Sequence, residues 1–415
     1  MRATDQLPSM REQWTESARL ERLRMLRETT DVTLAQLAVP LADPEQLRGQ
    51  IENFVGVVRI PVGVAGPLVV RGEVAIGSFY VPLATTEGTL VLAVTRGAAA
   101  ISDSGGAAVW AADPHVTRAP LFVFPSHEDA REAGRWAKLN LTRIRQEAEA
   151  TTRHGKLVSV EPVLYGRRLV LEFTYSTGDA AGQNMVTFAT DAACRWLRQR
   201  VPFSGAEFFT LESNLSHDKK IAALSQSRQR GRQVDADITI PRSVVTAVLK
   251  AEPEAMARVA REGAYACVVS GAVGAQAQFA NILAALFVAT GQDVASVVEC
   301  GTGLTVMEVT SSGDLYTSVT IPNLIIGSVG GGTRLPSQRD CLDLLGCSAR
   351  NCARKLAEIA GAAVLAGELA LVASLASDSF AQAHSVFGRP QKLDRPGLGG
   401  PDSAGRKARK LTVVS

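Results

Sequence analysis

Gly178-Asp179-Ala180-Ala181-Gly182-Gln183-Asn184-Met185 joins two runs of opposite character. Before it, Arg168-Leu169-Val170-Leu171-Glu172-Phe173-Thr174-Tyr175 is β-branched and aromatic with rough alternation, the pattern of a strand. After it, Val186, Ala189, Ala193 and Leu197 recur at helical intervals. The junction therefore predicts a strand-to-helix turn. Two glycines and two alanines let a ligand approach the backbone closely. The free N–H groups that open the helix suit phosphate or another anion. Asp179 and Asn184 add polar contacts. Taken alone, the same residues also describe an ordinary turn of small side chains, and the G-x-G-x-x-G fingerprint is absent.

Working outward, Leu121-Phe122-Val123-Phe124 reads as a strand, 128–145 as a helix, 157–164 and 168–176 as strands, and 208–211 as a last strand. The order β-α-β-β-α-β suggests a ferredoxin-like module. A composition shift at Asp113-Pro114 precedes it. Residues 50–110, rich in Gly, Val and Ala, begin a larger domain. That domain resumes with Ala-rich helical stretches at 241–262, 274–290 and 338–383. Strands at 303–309 and 314–321 flank the turn Ser311-Ser312-Gly313. The fold class is α+β, a large α/β domain interrupted by the small module. The predicted division is a helical N-terminal segment at 1–49, the large domain at 50–118 and 213–387, the module at 119–212, and a basic tail at 388–415. Leu20, Leu23 and Leu26 predict an amphipathic surface or subunit-contact helix near the N-terminus. The tail carries seven Lys/Arg against two Asp, the composition of a disordered segment.

A chain of 415 residues buries a large core and holds two or three domains. Apolar content of 46% and charged content of 20% indicate a soluble globular protein. A net charge of +3 gives no sign of a nucleic-acid partner. The six cysteines form no C-x-x-C pair, which favours buried free thiols in a reducing compartment over metal or disulfide use. No apolar signal segment opens the sequence. The most apolar helical stretch, 359–376, carries Glu368, a charge costly in a bilayer, and reads as a buried helix. These features predict a cytoplasmic protein with no membrane partner.

Further motifs accompany the junction. Glu52-Asn53-Phe54-Val55-Gly56 is followed by Ile60-Pro61-Val62-Gly63-Val64-Ala65-Gly66-Pro67-Leu68. Then come Thr85-Thr86-Glu87-Gly88, Asp218-Lys219-Lys220, Gly291-Gln292-Asp293, Gly330-Gly331-Gly332-Thr333 and a late histidine, His384. In this order, over about residues 45–390, the chain resembles the 3-hydroxy-3-methylglutaryl-coenzyme A (HMG-CoA) reductase family, in its soluble NADPH-using form. The resemblance implies that the large domain binds substrate and that the inserted, non-Rossmann module binds NADPH. It implies reduction of HMG-CoA to mevalonate and free CoA. It also implies a homodimer or homotetramer whose active site lies at a subunit interface.

The resemblance assigns catalysis to Glu87, Lys219, Asp293 and His384. Lys219 would stabilise the developing oxyanion. Glu87 would supply a proton if burial raises its pKa. Asp293 would hydrogen-bond both. His384 would protonate the departing thiolate. The other histidines, at 115, 127, 154 and 217, read as surface residues. NADPH would be held by Asp179, Ala181, Gly182, Gln183, Asn184 and the Gly330, Gly331, Gly332 loop. Thr152 and Arg153, with Arg389, would take its 2′-phosphate. The acyl-CoA substrate would meet Arg118, Asp218, Lys220 and Asn281, with Arg96 toward coenzyme A.

Three departures stand out. Glu212 replaces a serine, Gln276-Ala277-Gln278 replaces Asn-Ala-His, which makes Gln278 an altered substrate contact, and Ala93 and Ala99 replace polar residues near Arg96. Glu212 would repel an anionic acyl group unless protonated or turned away. Two alternatives follow: a reductase of a different acyl thioester or carrier, and a non-catalytic nucleotide-binding homologue.

Overall fold

The computed structural model describes residues 14–30, 32–39, 44–349 and 351–377. His384, Arg389 and the tail 388–415 lie outside the described residues. The chain opens with α1 (Glu16–Thr30), β1 (Val62–Arg71), β2 (Ile76–Ala84), α2 (Leu90–Asp103) and β3 (Ala107–Ala111). Next come β4 (His115–Arg118), β5 (Leu121–Val123), α3 (His127–Leu139), α4 (Leu141–Glu149), β6 (Lys156–Tyr165), β7 (Arg168–Ser176), α5 (Gln183–Leu197) and β8 (Phe208–Thr210). The rest comprises β9 (Arg232–Ile240), α6 (Arg242–Val244), α7 (Pro253–Ser270), α8 (Phe279–Thr290) and α9 (Val297–Cys300). It closes with β10 (Leu304–Val309), β11 (Leu315–Leu324), α10 (Pro336–Leu344) and α11 (Ala353–Ala376).

The larger sheet runs β10-β11-β9-β3-β1-β2. Its pairs are antiparallel except β1 with β3, and α2 carries the chain from β2 to β3. Across it lies α11, whose residues from Leu356 to Ala370 are all buried. Such burial needs small side chains. A Cβ added to Gly97 of α2 would stand 1.8 Å from the Ala366 carbonyl oxygen. One on Gly361 would meet Val234 of β9, and one on Gly367 would meet Ile282 of α8. This helix is long and apolar enough to cross a bilayer, yet it is the core of the large domain. Its two buried carboxylates have full partner sets, as buried charges must. Glu358 accepts from the N–H groups of Glu73, Val74 and Ala75 in the β1–β2 turn. Glu368 accepts from Ala277 N, Gln278 N and Thr305 Oγ1, and burial raises its pKa.

In the smaller sheet β4 and β5 lie end to end along one edge of β7. They form one strand interrupted at Ala119-Pro120. β6 takes the other edge of β7, and β8 pairs with β5. The resulting order, β8-β5-β7-β6, is the ferredoxin-like arrangement that the sequence predicts. Phe122, Phe124 and Phe203 form its aromatic core.

Several boundaries differ from expectation, each for a local reason. The small sheet begins at His115, inside the stretch 50–118 assigned to the large domain, because β4 pairs with β7. The helix expected at 128–145 is two helices broken at Asn140, whose side chain bonds the Trp136 carbonyl. The stretch 241–262 breaks at Lys250, which is left-handed at φ 54°, and restarts at Pro253, a favoured first helical residue. Within 274–290 the helix starts only at Phe279. Within 338–383 a turn at Gly346 (φ 61°) separates α10 from α11. α1 is more than a surface helix: Arg22, fully buried, donates to the Phe54 carbonyl, and Arg19 donates to that of Ala38.

Gly97→Ala tests the α2–α11 contact. Overpacking of this kind costs about 1–3 kcal/mol, and a clash with backbone lies at the upper end. The urea midpoint should fall accordingly; an unchanged midpoint would show that the helices are free to separate.

Candidate active site

β7 delivers the chain to the junction at Ser176, and α5 departs at Gln183. Gly182 precedes α5 at φ 78°, and a Cβ there would stand 2.3 Å from Thr177 Cγ2. A second loop lies alongside. Ser328 N donates to the Asp179 carbonyl, and Ala180 pairs with Val329. A Cβ on Gly327 would stand 2.5 Å from Ala181 N. Gly330 (φ 83°) and Gly331 (φ 52°) follow, with no atom within 4 Å of their absent side chains, and Gly332 packs on Gly291. Ala181, Gly182, Gln183, Asn184, Gly330, Gly331 and Gly332 thus line one open wall made largely of backbone. Thr152 Oγ1 accepts from His154 N and Gly155 N, closing a turn on which Arg153 is exposed. Gly155 of that turn faces Met185, in the first turn of α5.

Two side chains expected at the cofactor are engaged elsewhere. The Asp179 carboxylate accepts from the N–H groups of Asn351 and Ala353 and so closes the start of α11. Gln183 Nε2 donates to Ser296 Oγ at 2.9 Å. Both act as struts that hold the wall in place.

Beside this wall runs a chain of charges. Lys219 Nζ lies 2.8 Å from Asp293 Oδ2, and both side chains are partly exposed. Lys219 is left-handed at φ 54°, and its N–H donates to Glu299 Oε1. Glu299 pairs with Arg230, and both are completely buried. Arg230 Nη2 makes a 3.0 Å ion contact with Asp218 Oδ1. Asp218 Oδ2 in turn lies 2.9 Å from Arg118, which also meets Glu212 Oε2 at 3.2 Å and the Gln183 carbonyl at 3.1 Å. Burial opposes ionisation of Asp218, but Arg230 and Arg118 hold its carboxyl below the usual range. Burial pushes Glu299 up against the pull of Arg230. Sequence reasoning missed Arg230 and Glu299. Their only signal was an acid in the apolar run Val297-Val298-Glu299-Cys300 and an arginine just past the Asp218-Lys219-Lys220 motif.

The expected substrate contacts divide. Lys220 Nζ bonds the Asp218 carbonyl and is exposed. Asn281 Nδ2 lies 3.4 Å from Glu87 Oε1, in a cleft also lined by Ile60, Thr86, Ala284 and Val288. Glu87 has no hydrogen bond or ion pair with Lys219 or Asp293 among the described residues; the Lys219 ammonium is paired there with Asp293. Gln278 donates to the Gly367 carbonyl and points into the fold. Arg96 likewise turns inward, donating to the Ala370 carbonyl and Ser374 Oγ, where the C-terminal half of α11 offers carbonyl oxygens to a cation. The Glu212 carboxylate is turned to Arg118, 3.2 Å from its Nη1. His217 is not a surface residue. It is 5% exposed and hydrogen-bonded to Ser225, and burial together with Arg230 and Arg228 pushes its pKa down to about 4. The six cysteines are free thiols, and no metal-holding group of His, Cys, Asp or Glu occurs among the described residues.

Fold and site together define a two-sheet α+β protein with a glycine-rich helix-start cradle beside a lysine–aspartate pair. The chain belongs to the hydroxymethylglutaryl-coenzyme A reductase family, whose model matches residues 18–389. The 3-hydroxy-3-methylglutaryl-coenzyme A reductase of Pyrococcus horikoshii is 43% identical over 376 residues, 89% of this chain and 91% of the relative. That of Methanocaldococcus jannaschii is 44% identical over 347 residues, 83% of this chain and 85% of the relative. The fold is also that of the class II reductase of Streptococcus pneumoniae bound to NADPH, with TM-score 0.64 and 20% identity, covering 87% of this chain and 84% of that one.

His217 gives the site a calculable pH response. Its folded value of about 4 lies below the ordinary 6.5, so the unfolded chain takes up the proton first. Its contribution to stability is complete above about pH 6.5 and is lost as pH falls toward 4, on the order of 3 kcal/mol in all. His217→Gln should flatten denaturant-derived stability across that window relative to the unmodified protein. Parallel curves would refute the assignment.

Proposed function

We propose that this protein reduces HMG-CoA to mevalonate and free CoA, with two molecules of NADPH supplying the four electrons. The observation that carries the reading is the Lys219–Asp293 pair, fixed beside a backbone cradle in a member of this family. NADPH supplies hydride. The residues fit it: the α5 N–H groups and the open glycines at 330–331 suit its phosphates, and exposed Arg153, on the turn against α5, suits the 2′-phosphate. We read 115–212 as the cofactor unit and the rest of the described fold as the substrate unit.

Each residue then has a task. The Lys219 ammonium stabilises the oxyanion that forms as the thioester carbonyl, and later the aldehyde carbonyl, is reduced. Asp293 holds that ammonium in place. Glu87 donates and regains a proton, with Asn281 orienting it. His384 protonates the departing thiolate. We assign the protein to the cytoplasm.

We further propose that the working site forms between two subunits of a homodimer or homotetramer. Within one chain Glu87 is not joined to Lys219. Apolar side chains are exposed at Val58, Ile60, Val62 and Val64 near Glu87, and at Tyr265, Val268 and Val269 on α7, as a surface awaiting a second copy would have them.

Lys219→Ala should lower HMG-CoA-dependent NADPH oxidation by about 100-fold or more. Co-expression of Lys219→Ala with Glu87→Ala should restore activity, because a mixed dimer contains one intact site. Failure of the mixture to exceed either variant would place both groups on one chain. Arg153→Ala should raise KM for NADPH and leave KM for NADH unchanged; equal effects on both would remove Arg153 from the 2′-phosphate.

A further inference from the structure

We propose that Glu212 is a resident competitor for the substrate's carboxylate: it occupies the Arg118 guanidinium in the empty site and must leave before the acyl group can bind there. The inference rests on the reading of Arg118 as the ligand of that carboxylate. Arg118 is only 8% exposed: its Nε is buried without a partner, and Nη1 and Nη2 each already serve an acceptor. Nη1 serves Asp218 at 2.9 Å and Glu212 at 3.2 Å, and Nη2 serves the Gln183 carbonyl at 3.1 Å. An incoming carboxylate therefore shares or replaces an acceptor at Nη1 or Nη2.

The three acceptors are not equally replaceable. The Gln183 carbonyl is backbone at the start of α5. Asp218 is shared with buried Arg230, so its removal would leave that cation with Glu299 alone. Glu212 is the most exposed of the charged partners, at 28% against 18% for Asp218. Apart from Arg118, its carboxylate is held by one N–H, that of Asn214 at 2.8 Å. Charge balance points the same way. Arg118 itself already faces two carboxylates, 212 and 218. Another anion is admitted by exchange with Glu212 more readily than by addition to it. Glu212 thus keeps Arg118 paired while the site is empty, at the expense of affinity for the carboxylate end of the substrate.

Glu212→Gln and Glu212→Ser test this with the full-length protein. Both should lower KM for HMG-CoA and the inhibition constant of free 3-hydroxy-3-methylglutarate by about fivefold, the effect of one partly exposed ion pair. The inhibition constant of CoA and KM for NADPH should not change. Glu212→Asp, which keeps the charge, should keep the high values. A KM for HMG-CoA that is unchanged or raised in both neutral variants overturns the proposal while leaving the reductase reading intact. If the unmodified protein reduces no HMG-CoA, the reductase reading falls, and calorimetric titration with the free dicarboxylate decides this one. Tighter binding by the neutral variants supports it, and equal binding overturns it.

Discussion

The buried pair of Arg230 and Glu299 is the constraint on which the site depends. Both side chains are wholly removed from water, where either charge without its partner would be costly. Mutual neutralisation fixes α9 against the segment that follows Lys219. That anchoring reaches the reactive residues directly. Glu299 also accepts the Lys219 N–H, and Arg230 also faces Asp218. Two neighbouring residues of one motif are thus held from below by one ion pair. The same short stretch of chain holds Lys219 twice, its backbone through Glu299 and its ammonium through Asp293. The left-handed backbone at Lys219, unusual for a side chain of this size, is sustained by these contacts.

The ladder continues outward through Arg118 to the small sheet. Arg118 ends β4, bonds the first residue of α5 through its carbonyl, and meets Asp218 of the substrate side. One guanidinium therefore links the strand that enters the small sheet, the start of α5 and the Asp218-Lys219-Lys220 loop. The wall between the sheets is closed in a similar way. Asp179 bonds the start of α11, the Ala180–Val329 bridge joins the two loops, and Gln183 reaches Ser296. Polar side chains here thus serve to hold the two loops together.

Much of this was legible in the residues. The strand-to-helix junction at 178–185, the βαββαβ order around it and the buried character of the helix containing Glu368 follow from periodicity and small-residue content. Those signals are local. They reflect backbone preference and the amphipathic demands of a sheet or helix face. Helix ends were less legible. Asn140 and Gly346 break runs whose composition is otherwise helical throughout, and Lys250 carries a left-handed turn with no glycine to announce it.

The sequence by itself determined the fold class and the strand-to-helix junction, because periodicity and small-residue content are local signals, and its ordered motifs carried the family resemblance. Only the tertiary structure decided what their charges do to one another. Arg96, Gln278 and Asp179 carry ligand-binding groups, yet carbonyls and N–H groups of α11 and its start claim them. His217 looked exposed in a polar run but is buried beside Arg230, and Glu212 looked repulsive but is paired. The physical reason is common to all five. A polar side chain's role is set by the complementary groups around it once water is excluded; for Arg96, Gln278 and Asp179 these come from a distant part of the chain, whereas His217 bonds Ser225 eight residues on and Glu212 takes the Asn214 N–H as well as distant Arg118.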